Sequence, residues 1–229
     1  MQRHTFWQNA AGLALSLPLA LGALPAAAQA PAGWAIKATP QHLVLSGYWL
    51  EAEHARPGHP RQTFTLGPQL YWGGAGHPDV VRTGAELNRD PRVRGGGLQL
   101  QHRFYLGAGQ PDEAVPTGFY LGYGPQVQVF RLSVARLQWY EEESPYGNPY
   151  ITYGLVRHPE TVLRYGVAGQ FGYQWHLGAR GLLDVYAGLG LRKSHYWSEY
   201  SESQFRSGPS DYAHQGFYVP AGFKLGVVL

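Results

Sequence analysis

The chain has no cysteine in 229 residues, and its one methionine is Met1. Without thiols it can hold no disulfide scaffold, thiol nucleophile or cysteine zinc site, and it lacks the acylated N-terminal cysteine of a lipoprotein. Charge is scarce as well: 18 basic and 15 acidic residues make 14% of the chain and leave a net charge of +3. So small an excess gives no electrostatic footprint for nucleic acid. Beyond residue 30 no apolar run approaches the ~18 residues of a spanning helix, and sustained 3.6-residue periodicity is absent. What is abundant is glycine, 31 residues, and aromatics at 14%. Low charge with many aromatics excludes disorder, and the length suits one β-barrel.

The first segment, MQRHTFWQNAAGLALSLPLALGALPAAAQA, begins with Arg3, continues through an apolar run and ends in small residues. That order is a secretory signal peptide, and the run is too short for the ~20 residues of a membrane anchor. Cleavage after Ala30 would leave Pro31 at the new terminus, so cleavage after Ala28 is preferred. This divides the chain into a signal peptide, 1–28, and a mature domain, 29–229. Losing Arg3 leaves the mature chain near +2, from +3 less one.

The rest of the chain alternates with period two. In 217–229 one parity holds Phe217, Val219, Ala221, Phe223, Leu225, Val227 and Leu229, and the other Tyr218, Pro220, Gly222, Lys224 and Gly226. Segments 63–72, 97–106, 164–177 and 183–192 divide in the same way, and 41–55 and 117–140 less cleanly. In a soluble sandwich the second face would carry Lys, Glu and Thr. Here it is Gly, Gln and Tyr with an occasional charge, and aromatics gather at the strand ends. This pattern predicts an all-β, single antiparallel up-and-down transmembrane barrel with lipid outside, a polar interior and aromatic girdles.

Backbone groups in lipid must all be paired, so the sheet must close, with an even number of strands. With the C-terminus in the periplasm, the long connections 74–94, 141–162 and 195–215 fall outside the cell. The turns at 56–61, 107–116 and 178–181 then lie in the periplasm. Seven strong strands require an eighth. Either 33–39 is a short first strand ended at Pro40, or 33–55 is continuous and 149–157 supplies the extra strand.

The ending GFKLGVVL, with Lys224, Gly226 and Leu229, is similar to the terminal recognition signal of outer-membrane barrels, although Leu229 stands where phenylalanine is usual. The segments AIKATPQHLVLSGYWLEAEHA, HRFYL with GFYLGYGP, and FGYQWHLGARGLLDVYAGLGL make the mature chain resemble a family. It is the small uncharacterised outer-membrane barrels of the DUF3575-like group, common in Bacteroidetes. The resemblance implies a bacterial outer-membrane location and contact with outer-membrane lipid. It also implies handling by the barrel-assembly machinery through the terminal strand, 216–229. It brings no activity and no catalytic residue.

Interior-facing parity selects a polar cluster of Glu51, Glu53, Gln99, Gln101, Arg103, Gln170, Gln174, Asp184, Arg192 and Lys224. Glu51 and Glu53 share a strand face, and Arg103, Arg192 and Lys224 are the opposing charges. Such a cluster is either proton-active or an ion-paired plug. An eight-stranded interior is just filled by side chains, which favours the plug over a diffusion pore. Lipid hydrolysis would need a serine beside a histidine. Ser194 and His195 are adjacent, hence on opposite strand faces. The pairs His54 and His59, and His77 with Asp79, lack metal-ligand spacing. No catalytic residue, cofactor or metal is therefore expected. The outer connections are the better surface. Tyr146, Tyr150, Tyr153, Tyr196, Trp197 and Tyr200 sit among polar residues and suit an extracellular glycan or protein ligand. An outer-leaflet lipid A deacylase-like enzyme and a soluble periplasmic barrel holding an apolar ligand are the competing readings.

Overall fold

A computed structural model describes residues 33–75, 89–107, 114–198 and 211–229. The segment read as a signal peptide, with its candidate cleavage sites, most of connection 74–94, and Tyr200 lie outside the described residues.

Strand-forming residues alternate along nine segments. They are β1 (Trp34–Ala38), β2 (Gly47–Ala55), β3 (Gln62–Gly74), β4 (Arg89–Tyr105), β5 (Gly118–Glu143), β6 (Pro149–Leu177), β7 (Gly181–Trp197), β8 (Gly216–Tyr218) and β9 (Ala221–Val228). Each strand from β1 to β7 pairs antiparallel with the next. β9 pairs with both β7 and β1, which closes the sheet on itself. β8 and β9 are halves of one strand interrupted at Val219–Pro220, where proline has no N–H to give the ladder. The result is a ring of eight antiparallel strands. The short separate first strand is the alternative that holds, and 33–55 is not continuous.

Three expectations need correction. Residues 41–45 are not strand: Pro40–Leu45 form a 3-10 helix ending at Ser46, whose φ is 54°. Proline fits the first helical position, and the consecutive Leu43, Val44 and Leu45 break the two-residue period. Second, 141–162 is not a loop. β5 and β6 stay paired from Gly118↔Gln174 to Glu143↔Pro149, around a turn at 144–148. The third neighbours stop earlier, at Ala135↔Arg89 and Thr161↔Trp197. The β5–β6 hairpin therefore projects as a two-stranded ribbon, with eight residues per strand reaching roughly 25 Å beyond. Third, strand also claims the flanks of the other two long connections, to Gly74, from Arg89, and to Trp197.

Burial is inverted relative to a soluble sandwich. Outward side chains are apolar, as with Leu66, Leu70, Leu100, Val167, Leu189 and Leu225, while the inward parity is polar or charged. At the lower end, Ala35, Val115 and Leu182 form a small apolar floor. At the upper end the returning segment 211–213 tucks inside. Tyr212 and Ala213 join Tyr71, Val93, Phe130, Leu132 and Val162 in an apolar roof against which Trp49 and Tyr196 pack. Crossing rings Tyr71–Phe130 and Phe130–Tyr212 lie 4.8 and 5.0 Å apart. Strand spacing depends on glycine at Gly124, where a Cβ would come within 1.8 Å of the Leu100 carbonyl oxygen.

Candidate functional site

Between floor and roof lies a network of six charges brought together by register. Lys37 on β1 is opposite Glu51 on β2, and Asp184 on β7 is opposite Lys224 on β9. Glu53 is two residues from Glu51, and Arg103 enters from β4. All six are buried, Arg103, Glu53 and Asp184 completely. The Arg103 Nη2 donates to both Glu51 carboxylate oxygens at 2.8 and 3.0 Å. Its Nη1 donates to Asp184 Oδ2 at 3.1 Å and to Glu53 Oε2 at 3.4 Å. Lys37 Nζ pairs with Glu53 and is 3.2 Å from Asp184 Oδ2. Lys224 Nζ donates to Glu51 Oε2 at 2.5 Å.

Neutral groups complete the carboxylates. Thr63 and Tyr105 hydroxyls donate to Glu53 Oε1 at 2.5 and 2.8 Å, and Tyr120 donates to Asp184 Oδ1 at 2.7 Å. Arg103 lies over the Tyr120 ring at 4.7 Å and Lys224 over Tyr186 at 4.8 Å. Three cations balance three carboxylates, each carboxylate with several donors. Full pairing of this kind is what a buried charge network requires to exist. With every carboxylate already taken, the network fills the ring's waist.

Several inward residues of the sequence reading join this network. Gln101 accepts from Arg103 Nε at 3.3 Å, and Gln174 accepts from Lys37 while donating to the Pro116 carbonyl at 2.9 Å. Gln99 and Gln170 instead line the space above it. Arg192, expected to oppose the glutamates, does not join them. It is half-buried higher up, donating to His214 Nδ1 at 3.2 Å and lying over Tyr218 at 4.6 Å. The reading missed Lys37, Tyr105, Tyr120 and Arg164, though each has inward parity on its strand.

Above the network is a chamber of about 460 Å³. Glu51, Lys224, Gln99, Gln170 and Tyr186 line it, as do Trp49, Tyr71, Arg164 and Tyr212 of the roof. Arg164 is fixed by Nε donation to Gln128 Oε1 at 2.6 Å and by Nη1 donation to the Asp211 carbonyl at 3.1 Å. Trp49 and Gln128 donate to the Tyr71 hydroxyl at 3.0 and 2.9 Å.

Ser194 is buried and His195 points outward. The Ser194 hydroxyl donates to the main-chain carbonyl of His214 at 2.8 Å. Its contact is therefore not an imidazole that could take its proton. His195 faces Tyr165 at 3.2 Å. His54 stacks on Trp34 at 4.3 Å. Among the described residues no group of three or more His, Asp or Glu is placed to hold a metal.

The outward aromatic candidates scatter. Tyr146 is 91% exposed at the ribbon tip. Tyr150 donates to Glu142 Oε2 at 3.1 Å, and this hydrogen bond raises the pKa of its hydroxyl. Tyr153 leans on Trp139 at 5.1 Å. Trp197 is exposed, whereas Tyr196 is half-buried and packs against the roof. The chain matches no protein-family model, no curated protein and no solved structure.

Proposed function

We propose that this chain is a non-enzymatic bacterial outer-membrane β-barrel whose interior is plugged and whose extracellular ribbon and loops meet a glycan or protein ligand. The observation that carries the proposal is the inversion of polarity. A closed ring turns Leu, Val and Phe outward and seals Arg, Lys, Glu and Asp inside. In water that outer surface would be a large contiguous apolar patch, whereas in lipid it is the expected covering. Closure pairs the strands all round the lower ring, leaving unpaired edges at the seam where β1 ends beside β9 and along the projecting ribbon. The neutral charge network supports a plugged interior over an open pore. The chamber's charged and amide lining argues against a soluble carrier of a purely apolar ligand, and the Ser194 contact argues against a serine hydrolase. The resemblance to the DUF3575-like barrels points to the same compartment.

The absence of cysteine makes the proposal directly testable. Single cysteines at Leu66, Leu189 and Tyr146 would each carry an environment-sensitive fluorophore in reconstituted vesicles. Lipids spin-labelled along their acyl chains should quench labels at 66 and 189 strongly and the label at 146 weakly. Equal weak quenching at all three sites would reject membrane insertion.

A further inference from the structure

The chamber has a closed floor and roof, but its flank is incomplete. β1 leaves the ladder at Ala38↔Leu225, where the 3-10 helix carries the chain away. Above Leu225, therefore, β9 has no ladder partner on that side among the described residues. On the other side, pairing with β7 stops at Ala187↔Ala221 and resumes at Gly190↔Tyr218. The seam between the 3-10 helix and β8–β9 is filled by one half-buried side chain, Gln41. Its Nε2 donates to the Tyr186 hydroxyl at 3.1 Å and crosses Gly222, where a Cβ would lie within 1.9 Å of it. Leu50, Leu189, Phe217 and Val219 line the chamber here and are also exposed outward, so the mouth is apolar.

The chamber is electrically unlike the network below it. There, three cations meet three carboxylates. Arg164, buried in the chamber wall, gives its hydrogen bonds to neutral acceptors, the Gln128 amide and the carbonyls of Asp211 and Tyr212. No carboxylate lies within ion-pair distance of it among the described residues. A buried guanidinium to which the described residues offer no counter-ion favours capture of an anion. Gln170, 6% exposed, lines the same chamber.

We infer that the seam beside Gln41 admits a single-chain anionic amphiphile from the bilayer, its anionic head held at Arg164 and its acyl chain passing out over Leu189 and Phe217. A volume of 460 Å³ is within the range of small-molecule sites. The inference rests on the membrane reading, because the seam opens toward lipid only if the ring is inserted.

The test uses the full protein purified from membranes in octyl glucoside, with equilibrium dialysis against labelled dodecanoate. Dodecyl phosphate, acetate, dodecanol and dodecyltrimethylammonium serve as competitors. A change of gel mobility on boiling first establishes that the ring is closed, and loss of that change would fail the membrane reading instead. Saturable dodecanoate binding is expected, displaced by dodecyl phosphate but not by acetate, dodecanol or the cation. Arg164→Gln should weaken it at least about tenfold, the scale of one lost charge-assisted hydrogen bond. Competition by acetate alone would reveal a simple anion site, and competition by dodecanol a greasy one. Either result, or no binding by heat-modifiable protein, overturns the inference. If Arg164→Gln does not fold, the competition order of the unaltered protein decides.

Discussion

Replacing Arg103 by methionine removes the hub of the charge network while keeping a long side chain in its place. The guanidinium donates to Glu51, Glu53, Asp184 and Gln101, so the variant strips hydrogen bonds from three buried carboxylates at once. It also changes the local balance. Lys37 and Lys224 would face Glu51, Glu53 and Asp184, leaving one buried negative charge uncompensated. Breaking a buried ion pair by removing one partner destabilises by about 3–5 kcal/mol. We expect Arg103→Met to fall in that range. Adding Glu51→Gln to Arg103→Met restores neutrality and should recover about 0.5–3 kcal/mol, the usual coupling between contacting residues. The assay is urea unfolding from detergent or thin vesicles, followed by tryptophan fluorescence and by the gel mobility of unboiled samples. A single variant within 1 kcal/mol of the parent, or a double variant no more stable than the single, would refute the network as the clamp of the fold.

Tyr120→Phe removes the 2.7 Å donor to Asp184 and should destabilise by about 1–3 kcal/mol in the same unfolding assay. Leu66→Arg, on the outward face, should destabilise by about 2–4 kcal/mol in lipid, as arginine does near a bilayer midplane. Ile151→Arg, exposed on the projecting ribbon, should stay within about 0.5 kcal/mol of the parent in the same measurement. Gly124→Val drives a side chain into the Leu100 carbonyl, so the β4–β5 ladder must part, and refolding yield should collapse. Deleting 137–155 removes ladder rows that only β5 and β6 share, so the shortened chain should still close and keep its gel-mobility shift.

Strand periodicity was legible because one face of each strand is continuously apolar. The terminal strand and 183–192 alternate without interruption, and the structure has strands there, broken only at Pro220. The ribbon was not legible. Glu141, Glu142 and Glu143 with scattered tyrosines read as loop, but cross-strand partners such as Glu142↔Tyr150 hold the residues in a ladder. The 3-10 helix was hidden inside an apolar run that a strand could equally have used. Inward parity could be read residue by residue, and it selected Glu51, Glu53, Arg103, Asp184 and Lys224 correctly as inward. Which inward residues meet depends on register and closure, and these are properties of the whole ring. Lys37 therefore joined the network and Arg192 did not. The chamber and its seam come from the same source, the point where β1 ends five residues in and β9 is left unpaired above it.

The proposed function rests on a closed ring embedded in the outer membrane. The most direct measurement is gel migration of unheated and boiled protein from an isolated outer-membrane fraction. A ring closed by eight paired strands in lipid should resist SDS until boiled, giving two distinct mobilities in that fraction. Protein recovered from the soluble periplasm with one mobility under both conditions would contradict the account.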